Sequence, residues 1–159
     1  MVRTTNKPAP VRLTLAAETA ADLMTENPVS IRAEASVMEA VALLTDRGFS
    51  AAPVIDEAGR PVGVVSRADL LVHDRESHRA PSFPEGRAIP EGFGVENCDP
   101  TVVGDIMTPG VFAVTLDTPA ASVVEQMLAL HVHQLFVVDA DGLLVGVIST
   151  LDVLRHLHP

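Results

Sequence analysis

A serine followed three residues later by an aspartate closes two related heptapeptides, Gly63-Val64-Val65-Ser66-Arg67-Ala68-Asp69 and Gly146-Val147-Ile148-Ser149-Thr150-Leu151-Asp152. In each, an apolar run of buried-strand type ends in a hydroxyl at the expected start of a helix, with a carboxylate one turn in. Two chemistries suit that spacing. Ser-x-x-Asp is a capping box, in which the hydroxyl satisfies a free N–H group and the carboxylate complements the helix dipole. The same groups also suit a nucleotide: free N–H groups and a serine hydroxyl at a helix N-terminus bind a phosphate, while an outward aspartate accepts both hydroxyls of a ribose. The residues alone leave both readings open. Nothing in the sequence points to catalysis, because it holds no nucleophile with an evident base, no Walker-type Gly-rich loop and no acid and base at plausible spacing.

The two heptapeptides are the end of a longer repeat. Asp22-Leu23-Met24-Thr25 recurs as Asp105-Ile106-Met107-Thr108, and the same offset of 83 carries Val54, Asp56, Gly59, Gly63, Ser66 and Asp69 to their second copies without a gap. Within a copy the order reads strand, helix, strand, strand, helix. Val29 to Ile31 is a short strand, and Ser36 with Glu39 is a capping box opening a helix whose stripe is Val37, Ala40, Val41 and Leu44. The second stripe is Ala120, Val123, Val124 and Met127, behind Pro119 at the first helical position. Ala52 to Ile55 and Leu135 to Val138 are buried strands closed by Asp/Gly turns, each followed by another strand, Val62 to Val65 or Leu144 to Ile148. A short helix precedes each copy, the second signalled by Asp99 with Pro100 behind it. The expected organisation is a tail over 1–18, copies over 19–72 and 99–159, and a Pro/Gly-rich connection over 73–98.

Composition bounds the partners. A net charge of −10 repels phosphate backbones, and the absence of Trp and Tyr removes the stacking platforms of single-strand binders, so nucleic acid is not expected. No apolar run approaches the ~20 residues that cross a bilayer, which predicts a cytoplasmic protein without membrane contact. Cys98 is the single cysteine and predicts neither a disulfide nor a thiolate metal site. His131 with His133, and His156 with His158, have the spacing that puts two rings on one side of a strand, but no carboxylate or thiol stands at ligand spacing beside them, so no metal is expected.

Taken twice and in order, Asp22-Leu23-Met24-Thr25, the strand Ala51-Ala52-Pro53-Val54-Ile55-Asp56 and Gly63 through Asp69 resemble the cystathionine β-synthase (CBS) domain in its tandem arrangement, the Bateman module. The resemblance implies an α+β fold of two β-α-β-β-α repeats packed around a pseudo-twofold axis, with clefts between the repeats for adenosine-containing ligands: AMP, ADP, ATP, NAD or S-adenosylmethionine. It implies ribose on Asp69 and Asp152 and phosphate on Ser66 and Ser149. Adenine is implied against Pro28 to Ile31 with Ala51 to Pro53 in one copy, and against Val111 to Val114 with Gln134 to Phe136 in the other. The implied protein is a stand-alone, non-enzymatic regulatory module with no required cofactor, a homodimer that signals to a separate, unknown regulated protein. The alternative is a ligand-free assembly module whose Ser-x-x-Asp motifs only cap helices. Two departures bear on the sites: Phe136 stands where the first copy has Pro53, and the connection is long. Arg67, directly after Ser66, either reinforces a phosphate contact or is a solvated surface arginine, whereas its counterpart Thr150 leaves the second site without a built-in cation.

Overall fold

The structure, a computed structural model, describes residues 12–77 and 99–159. The expected irregular character of the first residues, most of the expected connection, and Cys98 lie outside the described residues. In chain order the elements are β1 (Thr14–Leu15), α1 (Ala20–Leu23), β2 (Thr25–Glu26), β3 (Ile31–Arg32), α2 (Val37–Asp46), β4 (Ala51–Ile55), β5 (Pro61–Ser66) and α3 (Arg67–Ser77). The second half continues with α4 (Val103–Ile106), β6 (Thr108–Pro109), β7 (Ala113–Thr115), α5 (Ala120–Leu130), β8 (Gln134–Val138), β9 (Leu144–Ser149), α6 (Thr150–Arg155) and β10 (Leu157–His158). The fold is α+β, and both copies run strand, helix, strand, strand, helix.

The chain forms two compact units, and neither is a sequence copy taken whole. One unit joins residues 28–77 and 99–112 with Asp141–Leu144; the other joins residues 12–27 with Ala113–Ala140 and Val145–Pro159. The segment carrying Asp-Leu-Met-Thr therefore leaves its own copy and completes the sheet and core of the other.

In the first of these units the sheet order is β3-β4-β5-β6. β3 runs parallel to β4 with Ile31 opposite Val54, β4 and β5 are an antiparallel hairpin, and β6 pairs with β5 through Thr108 opposite Val64. The hairpin turns where Asp56 Oδ1 accepts the Arg60 N–H at 2.8 Å and Gly59 takes a positive φ of 86°, a conformation that favours glycine. Ile31, Ala40, Leu44, Ala52, Val54, Val65 and Val103 form the core. The last of these comes from α4, in the second copy's leading segment.

The other unit repeats the plan. Its sheet order is β2-β9-β8-β7, with Thr25 opposite Val147 and β7 parallel to β8. Its core gathers Ala20, Leu23, Val114, Ala120, Val123, Met127, Leu135, Val137 and Ile148, so that Ala20 and Leu23 of α1 sit among side chains from the second copy. A two-stranded pairing of β1 with β10 ties Leu15 to Leu157 beside it.

The repeated tetrapeptide is now explained residue by residue. Asp22 Oδ2 accepts the N–H groups of Thr19 at 2.9 Å and Glu18 at 3.0 Å, and Asp105 Oδ2 accepts that of Val102 at 3.2 Å, so each aspartate closes the start of a short helix. Those backbone bonds, from Thr19 first and then Glu18, hold the Asp22 carboxyl below its ordinary pKa. Leu23 and Ile106 pack on the cores, and Thr25 and Thr108 join the sheets. Met24 and Met107 cross the glycines of the facing strands. A Cβ on Gly63 would stand 2.6 Å from the Met107 sulfur and 2.7 Å from the Thr108 carbonyl oxygen, and one on Gly146 would overlap the Met24 sulfur. Glycine at these two positions lets the exchanged segments lie down on β5 and β9.

Three local expectations are adjusted. The first strand begins at Ile31 rather than Val29, because pairing with β4 starts there and the chain is still turning at Asn27, whose φ is 49°. Asp99 does not cap α4: its Oδ1 takes the Thr101 N–H at 3.0 Å in a local turn, and the helix starts at Val103. The helical stripes bury mostly inside their own units, with Val37, Leu44, Val123 and Met127 at 9% exposure or less, while Val41 remains 36% exposed.

Candidate functional site

Both Ser-x-x-Asp motifs sit where the last strand of a copy hands over to its last helix. The handover is pinned to the strand alongside: the Arg67 N–H donates to the Ser50 carbonyl at 3.0 Å, and the Thr150 N–H donates to that of His133 at 3.0 Å. At the first motif the Ser66 N–H and Oγ both donate to Asp69 Oδ2, at 2.8 and 2.7 Å, and the Asp69 N–H returns a bond to Ser66 Oγ at 3.3 Å. At the second the same three bonds are 2.8, 2.6 and 3.3 Å. Both are complete capping boxes. Because two donors converge on Oδ2, each aspartate keeps Oδ1 for other partners.

Strand register places the expected adenine contacts unequally. Ala51 lies opposite Ser66 and Pro53 opposite Val64, so Ser66, Ala51 and Pro53 share the sheet face turned away from the core residues Ala52, Val54 and Val65. Ile31 is instead a core residue, and Pro28 lies just before its strand. In the second copy Gln134 and Phe136 alternate with the core residues Leu135 and Val137, and Phe136 is buried, whereas Val114 belongs to the core itself. Val111 falls with residues 99–112, in the other compact unit from Ser149 and Asp152.

Arg67 points elsewhere than its sequence position suggests. Its Nη2 donates to the Leu44 carbonyl at 3.3 Å, in the last turn of α2, where that oxygen also accepts the Phe49 N–H at 3.0 Å. Arg67 and Thr150 line equivalent grooves between helices, the first with Val41, Leu44 and Leu70, the second with Val124, Met127 and Val153. The arginine found at an aspartate is a different one: Arg155 Nη1 lies 3.4 Å from Asp152 Oδ1.

The offset of 83 also pairs His73 with His156, one turn beyond the aspartates. His156 Nδ1 meets the Asp152 carbonyl at 2.8 Å. His73 Nε2 meets Asp99 Oδ2 at 2.6 Å, joining the C-terminal part of α3 to the start of the second copy. The Thr101 side chain first, and then His73, pull the Asp99 carboxyl down to about 2. His131 caps the end of α5 in the left-handed conformation, and His133 follows in the same connection. Among the described residues no cluster of three His, Cys, Asp or Glu is placed to hold a metal ion, and no helix is long and apolar enough to cross a membrane.

Two equivalent sheet-and-helix units with paired strand-to-helix Ser-x-x-Asp junctions define a tandem-repeat architecture. A family model for the CBS domain matches residues 20–76 and 103–159, and the chain belongs to that family, with two copies. It is 33% identical over 148 residues to the chloroplastic CBS domain-containing protein CBSX2 of Arabidopsis thaliana, covering 86% of this chain and 62% of that protein. It is 28% identical to the 5'-AMP-activated protein kinase subunit gamma of Kluyveromyces lactis, over 85% of this chain and 38% of the subunit. The chain thus spans about three fifths of CBSX2 and under two fifths of the kinase subunit. The crystal structure of CBSX2 in complex with AMP superposes with a TM-score of 0.66 at 31% identity, covering 87% of this chain and 95% of that one. The CBS domain pair of MJ0100, in complex with 5'-methylthioadenosine and S-adenosyl-L-methionine, shares the fold with a TM-score of 0.63 at 21% identity, over 86% of this chain and 97% of that one.

Proposed function

We propose that the chain is a non-enzymatic regulatory CBS pair that binds adenosine-containing ligands at its two Ser-x-x-Asp junctions and signals to a separate partner in the cytoplasm. The observation that carries the reading is the doubled junction itself, in which the serine and one carboxylate oxygen are mutually fixed, while the second oxygen is left over in Asp69 and faces the exposed Arg155 in Asp152. A carboxylate preset in this way suits the two hydroxyls of a ribose, because it meets them without rearranging its capping bonds. Ser66 and Ser149 are the proposed phosphate contacts. Ala51 and Pro53, and Gln134 and Phe136, are the proposed base contacts, supplemented by Pro28, Ile31, Val111 and Val114. Arg67 joins them only by releasing Leu44, and Thr150 only by releasing His133, to whose carbonyl its Oγ1 donates at 3.2 Å. The AMP complex of CBSX2 supports AMP as the first ligand to try. ADP, ATP, NAD and S-adenosylmethionine complete the set.

Titration calorimetry is the direct test, since the chain has neither Trp nor Tyr to report binding. At least one of the five ligands is expected to bind, and at 100 times its Kd to add ~2.7 kcal/mol of stability. No heat and no stabilisation with any of them would leave the other reading, an assembly module whose boxes only cap helices. That reading is favoured by one observation, that both boxes are complete without a ligand.

A homodimer is the proposed assembly. Met38 at 72% and Leu71 at 71% exposure project from α2 and α3, and Leu128, Leu151 and Leu154 at 54–69% from α5 and α6, which are apolar surfaces that a second copy would cover. Sedimentation at micromolar concentration is expected to give twice the 16.8 kDa chain mass, and a single-chain mass would refute the dimer.

A further inference from the structure

The two aspartates are held alike through Oδ2 and differently through Oδ1. Among the described residues, Asp69 Oδ1 has no protein partner. Asp152 Oδ1 lies 3.4 Å from Nη1 of Arg155, three residues further along α6, and Asp152 is buried at 8% exposure where Asp69 is half-buried. The offset that superimposes the motifs puts Val72 in the place of Arg155. Val72 is 46% exposed and brings no charge. The sequence expectation was a cation at the first site and none at the second. The structure turns Arg67 to the Leu44 carbonyl and sets Arg155 against Asp152.

We infer that Arg155 is a specificity-determining residue of the second site, selecting phosphorylated over unphosphorylated nucleosides. The inference rests on the adenosyl reading above and concerns how its two sites differ. A ribose hydroxyl that reaches Asp152 Oδ1 competes with the guanidinium for that oxygen. Adenosine, which is neutral, offers the displaced guanidinium only water in return. A nucleoside monophosphate offers its phosphate, and a guanidinium exchanges a carboxylate for a phosphate with its fork of N–H donors kept satisfied. The Arg155 side chain is 65% exposed, so the exchange needs no repacking of the unit. At Asp69 nothing is displaced and no arginine is released, so the first site discriminates less between the two ligands.

The test is calorimetric titration of the full chain with AMP and with adenosine. In an Asp69→Ala background, which isolates the second site, Arg155→Gln is expected to lower the ratio of AMP to adenosine affinity about three- to tenfold, the range of one exposed charge contact. Val72→Arg, a surface change that leaves both capping boxes intact, is expected to raise the ratio at the first site by a similar factor. It also decides the matter should Asp69→Ala not fold. A ratio unchanged by these substitutions overturns the inference. So does a parent that binds AMP while its Asp69→Ala variant, folded, binds neither ligand, an outcome that leaves the adenosyl reading standing on the first site alone. A parent that binds neither ligand nor any of the other adenosyl compounds removes the reading and the inference together.

Discussion

Leu23→Ala is expected to lower the unfolding free energy by about 2–5 kcal/mol, the range for truncating a fully buried leucine. Leu23 is 2% exposed and packs with Val114, Val123, Leu135 and Ile148, all from the second copy. The cavity it would leave therefore opens in the unit of β8 and β9, although residue 23 belongs to the first copy. Chemical denaturation followed by circular dichroism gives the magnitude. Native-state hydrogen exchange gives the location: protection should fall in β8 and β9 before it falls in β4 and β5. Loss confined to β4 and β5 would mean that each copy packs on its own leading segment, and the exchange described above would be wrong. Leu13→Ala, at a position 59% exposed, is the control and should change stability little.

Asp69→Ala and Asp152→Ala are each expected to weaken AMP binding at their own site by ~1.5–3 kcal/mol, about 10- to 150-fold, since a hydrogen bond to a charged acceptor contributes that much. Each substitution also breaks a capping box, which costs ~1 kcal/mol of stability. The two effects separate by comparison with Ser66→Ala and Ser149→Ala, titrated with adenosine as well as AMP because adenosine lacks the phosphate those serines are proposed to contact; they break the same boxes but leave the carboxylates in place. The aspartate variants should lose more affinity than the serine variants at similar loss of stability. Equal binding by the parent and both aspartate variants would assign the carboxylates to capping alone.

Much of this was legible without coordinates because it is local. The helix from Val37 is announced by Ser36 and Glu39, and their side chains do close the box, with the Ser36 N–H donating to Glu39 Oε2 at 2.8 Å. The hairpin turns carry Asp and Gly where backbone chemistry requires them, and the offset of 83 aligns the elements from α1 to α3 with those from α4 to α6. The apolar runs of β4 and β8 announced buried strands, and Ala52, Val54, Leu135 and Val137 do lie in the cores. The Ser-x-x-Asp motifs were legible for the same reason, since a capping box spans three residues and is satisfied by near neighbours.

What depended on distant parts of the chain was not legible. Asp-Leu-Met-Thr announces its own repetition but not its address, because its two apolar residues pack equally well by pattern on either copy. Gly63 and Gly146 read as ordinary strand glycines until Met107 and Met24 lie across them. Arg67 turns away from its motif and Arg155 turns to Asp152 for a related reason: a long flexible side chain goes to whichever acceptor the fold brings within reach, here the Leu44 carbonyl at the end of α2 and the second oxygen of Asp152. The sequence by itself determined the family, the repeat and the two capped junctions, all set by bonding within a few residues. Only the tertiary structure decided which copy each leading segment completes and which arginine stands at an aspartate, because both depend on surfaces that exist only once the strands have paired.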